Sequence, residues 1–364
     1  MRKAHGIFYW SLVREFAGMG LLIFSILLGI VVFTQLIRFL GESVSGLLAV
    51  DGILVMLGFS SLNYLPVLLS ISLFLSVLVT LSRCYRDSEM VVWFSSGIGL
   101  TRWIRPVLGY ALPVVALIAL LSLVLSPWAL SKADEYKRRL DSRDDVSAAT
   151  PGTFRESKQA DRVFFLEDVD AEKKRVGNIF VQSVQNGKEG TMVAKEGFQE
   201  TAANGDRFLV LLNGTRYEGV PGKANFKIAE FERYAMRIEP VELRQELPNR
   251  KAYSTMYLLQ NPDSWNMAEL EWRIGLPLSA LILALLAIPL SYVNPRAGRS
   301  LNLISALVIY MFYNNMISVT NSWVGREKIG VMAGLWVLHL AMLAVLLVLF
   351  YHRVSVFSWR RWKQ

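Results

Sequence analysis

Six stretches of this 364-residue chain contain no Asp, Glu, Lys or Arg over a length that can cross a bilayer: 16–37, 52–82, 106–131, 274–295, 300–325 and 329–352. A helix needs about 20 residues to traverse a hydrocarbon core of roughly 30 Å. Inside that core every backbone polar group must find its partner within the protein. The spacing predicts a polytopic α-helical membrane protein with six spans, three before and three after a long interval. The 52–82 run is too long for one straight crossing, and Asn63-Tyr64-Leu65-Pro66 is expected to break it into an interfacial piece and the span proper. The first run is too long for the apolar core of a cleaved signal and has no small-residue cleavage site, so it reads as a retained anchor.

Orientation follows from where Lys and Arg fall in the short loops. One set of loops holds thirteen basic residues, among them Arg2, Arg14, Arg83, Arg86, Arg102, Arg105, Arg296 and Arg299, against the acids Glu15, Asp87 and Glu89. The opposite loops, 39–51 and 326–328, hold Arg326 and Lys328 against Glu42, Asp51 and Glu327. Both termini are therefore expected in the cytoplasm. Residues 131–265 carry 22 basic and 22 acidic residues, so the net charge of +9 belongs almost wholly to the cytoplasmic rim. That charge is an orientation signal with a secondary pull toward anionic lipid, and it argues against a nucleic-acid partner.

The interval divides the chain into spans 1–3 (1–130), an insert (131–265) and spans 4–6 (266–364). Within the insert, Asn-Gly pairs at 186–187, 204–205 and 213–214 separate runs such as DRVFFLEDV, GNIFVQSV and DRFLVLLNGTRYEGV. Asn-Gly between alternating apolar runs is a hairpin signal, because both residues tolerate positive φ. Six or more antiparallel strands are expected, in an extracytoplasmic all-β sandwich or jellyroll-like domain. A helical stalk, KADEYKRRLD, leads into it, and a polar stretch around 246–265 leads back.

Much chemistry is absent from the sequence. There is no G-x-x-x-x-G-K-[ST] loop for nucleotide phosphates. No His, Asp and Glu cluster has metal-ligand spacing, and the lone Cys84 excludes an internal disulfide. His339 sits alone in the last span, where a hydrogen-bonded packing role is the ordinary one and a proton relay the sharper one. The charge-free runs carry no acid of the kind ion-coupled transporters use, so energy is expected from elsewhere.

Three places stand out. Between spans 2 and 3, YRDSEMVVWFSSG places Met90, Trp93, Phe94 and Gly97 on one helical face behind Asp87, Ser88 and Glu89. A bland helix would lay Trp93 and Phe94 in the headgroups. A coupling helix over about 86–97 would instead present the aromatic face and the acids Asp87 and Glu89 to a groove on a cytosolic ATPase. The acids favour the second, since anionic headgroups would repel them. Next, Arg38 closes the first span at the outer boundary, where it either snorkels or meets phosphates of an anionic amphiphile. Arg273, Arg326 and Lys328 are expected at similar depth. Last, PLSYVNPRAGR (289–299) is a helix stop, turn and restart with basic anchors.

Together these segments resemble the lipopolysaccharide export permeases LptF and LptG. The resemblance spans the chain: three plus three spans around a β insert, RDSEMVVWFSSG after span 2, ELEWRI opening span 4 and PLSYVNPRAGR closing it. NGTRYEG and LIRFLG lean toward the LptF side of the family. The resemblance implies a permease subunit of an ATP-binding-cassette exporter that takes lipopolysaccharide from the outer leaflet of the inner membrane to a periplasmic β-jellyroll bridge. It implies an LptG-like partner permease, an LptB-like ATPase dimer holding ATP and magnesium, and an LptC-like periplasmic protein, with no cofactor or catalysis in this chain. Glu89 then matches the acidic residue facing the ATPase, Arg38 a basic position at the cavity rim, and Arg216 an arginine of the β domain. Gln35 departs from the pattern, which has a second basic residue near it. Three other functions stand beside this one: the LptG-type partner, a mechanotransmitting permease with no lipid path, and an enzyme acting on lipid headgroups. The last is disfavoured by the lack of histidine in 131–265.

Overall fold

The structure, a computed structural model, describes residues 2–44, 48, 50–97, 99–141, 152, 154–156, 162–170, 175–185, 188–201, 207–219, 227–238, 249–292 and 299–359. The chain divides into two units, Met1–Asp134 with Pro248–Gln364, and Glu135–Leu247.

The first unit is helical. Its long helices are α1 (Arg2–Val44), α2 (Ile53–Arg86), α4 (Ile104–Leu120), α7 (Ser264–Leu290), α8 (Arg299–Gly325) and α9 (Val331–Trp359), with the short α3 (Glu89–Ser95) between α2 and α4. A π-helical segment, Leu121–Leu125, carries α4 on into α5 (Ser126–Asp141), which contains the expected stalk. Six of these helical stretches are long and apolar enough to cross a membrane, and the chain is a multi-pass membrane protein. The central helices are α2 and α7: α7 packs against α2, α4, α8 and α9. Ala280, Ala284 and Ala287 form a fully buried seam on α7, and such small residues let neighbouring helices approach closely. By contrast α1, α8 and α9 turn Leu22, Phe33, Phe312, Val337 and Leu347 outward, as a surface facing lipid or a partner helix would.

Two expectations about the spans are corrected. First, α2 is not broken at Asn63–Pro66; it runs unbroken from Ile53 to Arg86 with Pro66 inside. A proline frees the carbonyl four residues earlier, here that of Leu62. The Ser126 hydroxyl of α5 donates to that Leu62 carbonyl at 3.5 Å, so the helix continues. Second, the spans are expected to hold no acid, yet α7 begins at Ser264, ahead of the charge-free run at 274. Asp263 caps α7, its Oδ1 accepting from the Asn266 amide at 2.5 Å, and the helix therefore includes Glu269, Glu271 and Arg273. A buried acid does lie within a span: Glu271 is 4% exposed, its Oε2 has no hydrogen-bond partner, and Gly334 of α9 packs against its carboxylate. Of PLSYVNPRAGR, residues 293–298 lie outside the described residues; α7 ends at Leu290 and α8 restarts at Arg299.

Among the described residues the second unit is one antiparallel sheet of six strands, β1 (Phe154–Glu156), β2 (Arg162–Asp170), β3 (Arg175–Gln185), β4 (Lys188–Thr201), β5 (Arg207–Glu218) and β6 (Lys227–Ile238). Each strand pairs with its chain neighbour, so the topology is a meander. The Asn-Gly pairs at 186–187 and 204–205 fall between β3 and β4 and between β4 and β5, outside the described residues. The third is not a turn: Asn213 and Gly214 lie inside β5.

Asn213 belongs to a crease. The ladder registers of β2 to β6 all pass over one line, Glu167–Asn178–Lys195–Asn213–Glu232. Two members hold left-handed backbone, Asn178 at φ 47 and Asn213 at φ 51, a conformation asparagine tolerates better than most residues. Across this line the inward side of β3 and of β4 changes parity. On β3 Val176 points in on one side, and Ile179 and Val181 on the other. On β4, Met192 and Ala194 give way to Gly197. The two halves share one core of Val176, Leu209, Leu211 and Met236 with Ile179, Val181 and Met192. One meander folded across its strands thus supplies both layers of a jellyroll-like unit.

Candidate functional site

The acid-tipped segment forms the seven-residue α3, entered through Ser88 in left-handed backbone (φ 60) and left through Gly97 (φ 84). Its aromatic face does not point outward, which corrects the expected presentation of Met90, Trp93 and Phe94 to a partner. Met90 is 2% exposed, and Trp93 and Phe94 pack on the helical core. Phe8 of α1 lies 4.7 Å from Trp93 and 5.0 Å from Trp103 between ring centroids, and Tyr85 lies 6.5 Å from Phe94. The physical reason is proximity: a short helix hinged directly onto α2 meets the apolar helix ends before it meets anything else. The outward face carries Val91 and Val92, 65% and 66% exposed.

The acids stay at the surface but have partners in the chain. Arg83 Nη1 donates to Glu89 Oε1 at 2.7 Å and to Asp87 Oδ2 at 3.4 Å, while Arg86 Nε donates to Asp87 Oδ1 at 3.2 Å. Arg83 also reaches α1, its Nη2 lying 2.6 Å from Glu15 Oε1. Cys84 is buried beside this cluster.

The four basic positions expected at one depth separate into two kinds. Arg38 keeps half of its side chain exposed, pairs with Glu42 at 3.6 Å and stacks over the Phe39 ring. Arg326 and Lys328 are exposed in the turn between α8 and α9. Arg273 is different: at 2% exposure it is closed off from any lipid. Its Nε donates to Glu269 Oε1 at 3.0 Å, Nη1 to the Thr255 hydroxyl at 2.9 Å, and Nη2 to the carbonyls of Lys251 and Tyr253 at 3.2 and 3.0 Å. Thr255 in turn donates to the carbonyl of Leu123 in the π-helical segment, and Ser122 donates to the Arg273 carbonyl. A π segment leaves carbonyls without their usual α-helical donor, and the return segment 250–255 supplies one. Arg273 is therefore the clasp that fixes this segment to α4 and α7. Beside it an open cavity of about 180 Å³ is lined by Asn63, Tyr64, Ser126, Lys251, Trp272 and Arg273.

The polar residues of α8 mostly bond to their own helix: Asn314 to the Tyr310 carbonyl, Asn315 to Met311, Ser318 to Asn314 and Thr320 to Ile317. Asn321 donates across to a neighbouring helix, at the Ala268 carbonyl of α7. His339 is buried with Nδ1 2.6 Å from the Tyr313 hydroxyl. This is a satisfied packing pair between α8 and α9. Among the described residues, no group of three or more His, Cys, Asp and Glu could hold a metal ion.

In the β unit Arg216 lies on β5, opposite Met192 and Ala229. Its Nη1 donates to the Tyr234 hydroxyl at 2.6 Å, its Nη2 lies 3.2 Å from Glu218, and its Nε has no partner. Arg216 and Tyr234 stand on opposite sides of the crease, so this contact joins the two layers. Sequence reasoning missed Arg83, Glu15, Thr255 and the crease asparagines. The arginine six residues before Glu89 was visible, but only as one of thirteen rim charges.

Comparison with known proteins agrees with this architecture. The profile of the family described as "Lipopolysaccharide export system permease LptF/LptG" matches residues 10–352. The lipopolysaccharide export system permease protein LptF of Escherichia coli K12 is 29% identical over 342 residues, 93% of each chain. LptF of Shigella flexneri has the same identity and coverage. With six membrane-length helices, a β unit between the third and fourth, and a match over nearly its whole length, this chain belongs to the lipopolysaccharide export system permease family LptF/LptG.

Proposed function

We propose that the chain works as the LptF-type half of a lipopolysaccharide exporter, driven by ATP hydrolysis in a separate cytosolic subunit. In this arrangement it pairs with an LptG-like permease, takes force from an LptB-like ATPase dimer, and delivers the lipid to an LptC-like periplasmic protein. The termini and α3 lie in the cytoplasm, and residues 131–265 lie in the periplasm. The lipid's phosphates meet Arg38, with Arg326 and Lys328 in reach of the same boundary. Arg216 acts in onward transfer through the β unit. Arg273 is not in this set, because its donors are taken up inside the chain.

The observation that supports this best is α3 itself. A permease without a nucleotide-binding loop needs a rigid contact through which an external motor can act. Here a short helix is hinged on α2, seated by Met90, Trp93 and Phe94 on the span ends, and tipped by Asp87 and Glu89. Its seated face makes it stiff against the bundle, while Val91 and Val92 remain for a partner groove. Gentle extraction from native membranes tests the proposal. An ATPase and lipopolysaccharide are expected to co-purify with the chain, and a folded chain that arrives without either refutes it.

A further inference from the structure

The α3 acids are proposed above as a surface for a partner, yet Glu89 is already tied into the chain by one residue. Arg83 forks between two carboxylates on different elements. Its Nη1 reaches Glu89 Oε1 on α3 at 2.7 Å, while Nε and Nη2 reach Glu15 Oε1 on α1 at 2.8 and 2.6 Å. The guanidinium plane, with five donors in fixed directions, can hold two such partners at once, whereas an ammonium is a single point of charge. The same two elements also touch through an apolar contact, Phe8 on Trp93 at 4.7 Å. Thus α1 is bound to α3 twice, at positions two helical turns apart (Phe8 and Glu15), while farther along it many of its apolar side chains, such as Leu22, Ile26, Ile30 and Phe33, are exposed. All four charged groups, Glu15, Arg83, Asp87 and Glu89, keep roughly a third or more of their side chains exposed. Ion pairs of that exposure contribute little to folding stability. Their arrangement is better suited to transmitting a displacement than to holding the fold.

We propose that Arg83 is a positioning residue that transmits movement of α3 to the first span, with Glu15 as its anchor there. A partner that draws Glu89 moves Arg83, and Arg83 pulls on Glu15 and so on the inner end of α1. This rests on the proposal that α3 is the docking point of the ATPase.

The test uses the whole assembly, the permease pair with its ATPase, reconstituted with and without lipopolysaccharide. Glu15→Gln removes the charge pairing of Arg83 with α1 and leaves the Phe8–Trp93 contact in place. It is expected to leave ATPase co-purification, basal hydrolysis and the KM for ATP at wild-type values, and to lower the lipid-dependent stimulation roughly five-fold or more. Arg83→Lys keeps a cation beside Glu89 but cannot bridge both carboxylates, and the same loss of stimulation is expected. Wild-type stimulation in both variants overturns the relay. Equal loss of basal and stimulated rates in Glu15→Gln also overturns it, since that marks a packing role. If the unaltered assembly holds no ATPase, the proposed function itself fails, which is a distinct result.

Discussion

Arg273 Nε and Glu269 Oε1 stand 3.0 Å apart on successive turns of α7, with side chains 2% and 14% exposed. Breaking a buried pair by removing one member leaves the other charge uncompensated, at a cost of about 3–5 kcal/mol. Arg273→Leu is therefore expected to lower the unfolding midpoint in detergent sharply and to expose 250–255 to protease. Arg273→Leu combined with Glu269→Leu should recover only the part due to the uncompensated carboxylate, since the Lys251 and Tyr253 carbonyls still lack their donor. A single variant as stable as the parent would show that the clasp holds nothing.

Asn213 is held at φ 51 on the crease of the sheet. A β-branched residue resists that conformation, and a left-handed L-residue costs roughly 1–2 kcal/mol. Asn213→Val should destabilise the protein by that order, and Asn213→Gly far less. Thermal unfolding of the two variants checks the ranking; equal midpoints would mean that the crease does not depend on this backbone.

Glu89→Lys places a cation beside Arg83 and reverses the sign of the α3 tip. ATPase retention during purification should fall about ten-fold or more, as expected when a charged partner is lost at a docked contact. Membrane insertion should be unaffected. Unchanged retention would remove Glu89 from the docking surface.

Arg38→Glu sets two acids at positions i and i+4, since Glu42 follows one turn later. Within the helix this costs only a few tenths of a kcal/mol, so folding should survive. Lipopolysaccharide-stimulated hydrolysis should drop more than basal hydrolysis. An equal drop in both would show that Arg38 supports the fold rather than the lipid.

The spans and the β insert were legible because each is written in periodicity over many residues, and the family because its motifs are long and fall in order along the chain. Direction was not. The face formed by Met90, Trp93 and Phe94 was correctly grouped, but an apolar face does not say whether it meets a partner or its own chain. Arg273 looked like Arg38 for a similar reason. Both border a charge-free run, and only the return segment, with the Lys251 and Tyr253 carbonyls, separates a clasp from a rim charge. Asn213-Gly214 carried a turn signal because positive φ serves turns and creases alike. Pro66 looked like a break because the Ser126 hydroxyl that stabilises the Leu62 carbonyl is distant in sequence.

The folded meander has a mechanical corollary. Because β2 to β6 each run through the line Glu167–Asn178–Lys195–Asn213–Glu232, every one of these five strands is shared by both halves. Neither half can slide by one residue alone, since a slip would carry its own continuation with it and turn the wrong side chains inward on both sides. Tension applied to an edge strand is felt on both sides of the shared interior together, as in a page gripped across its fold.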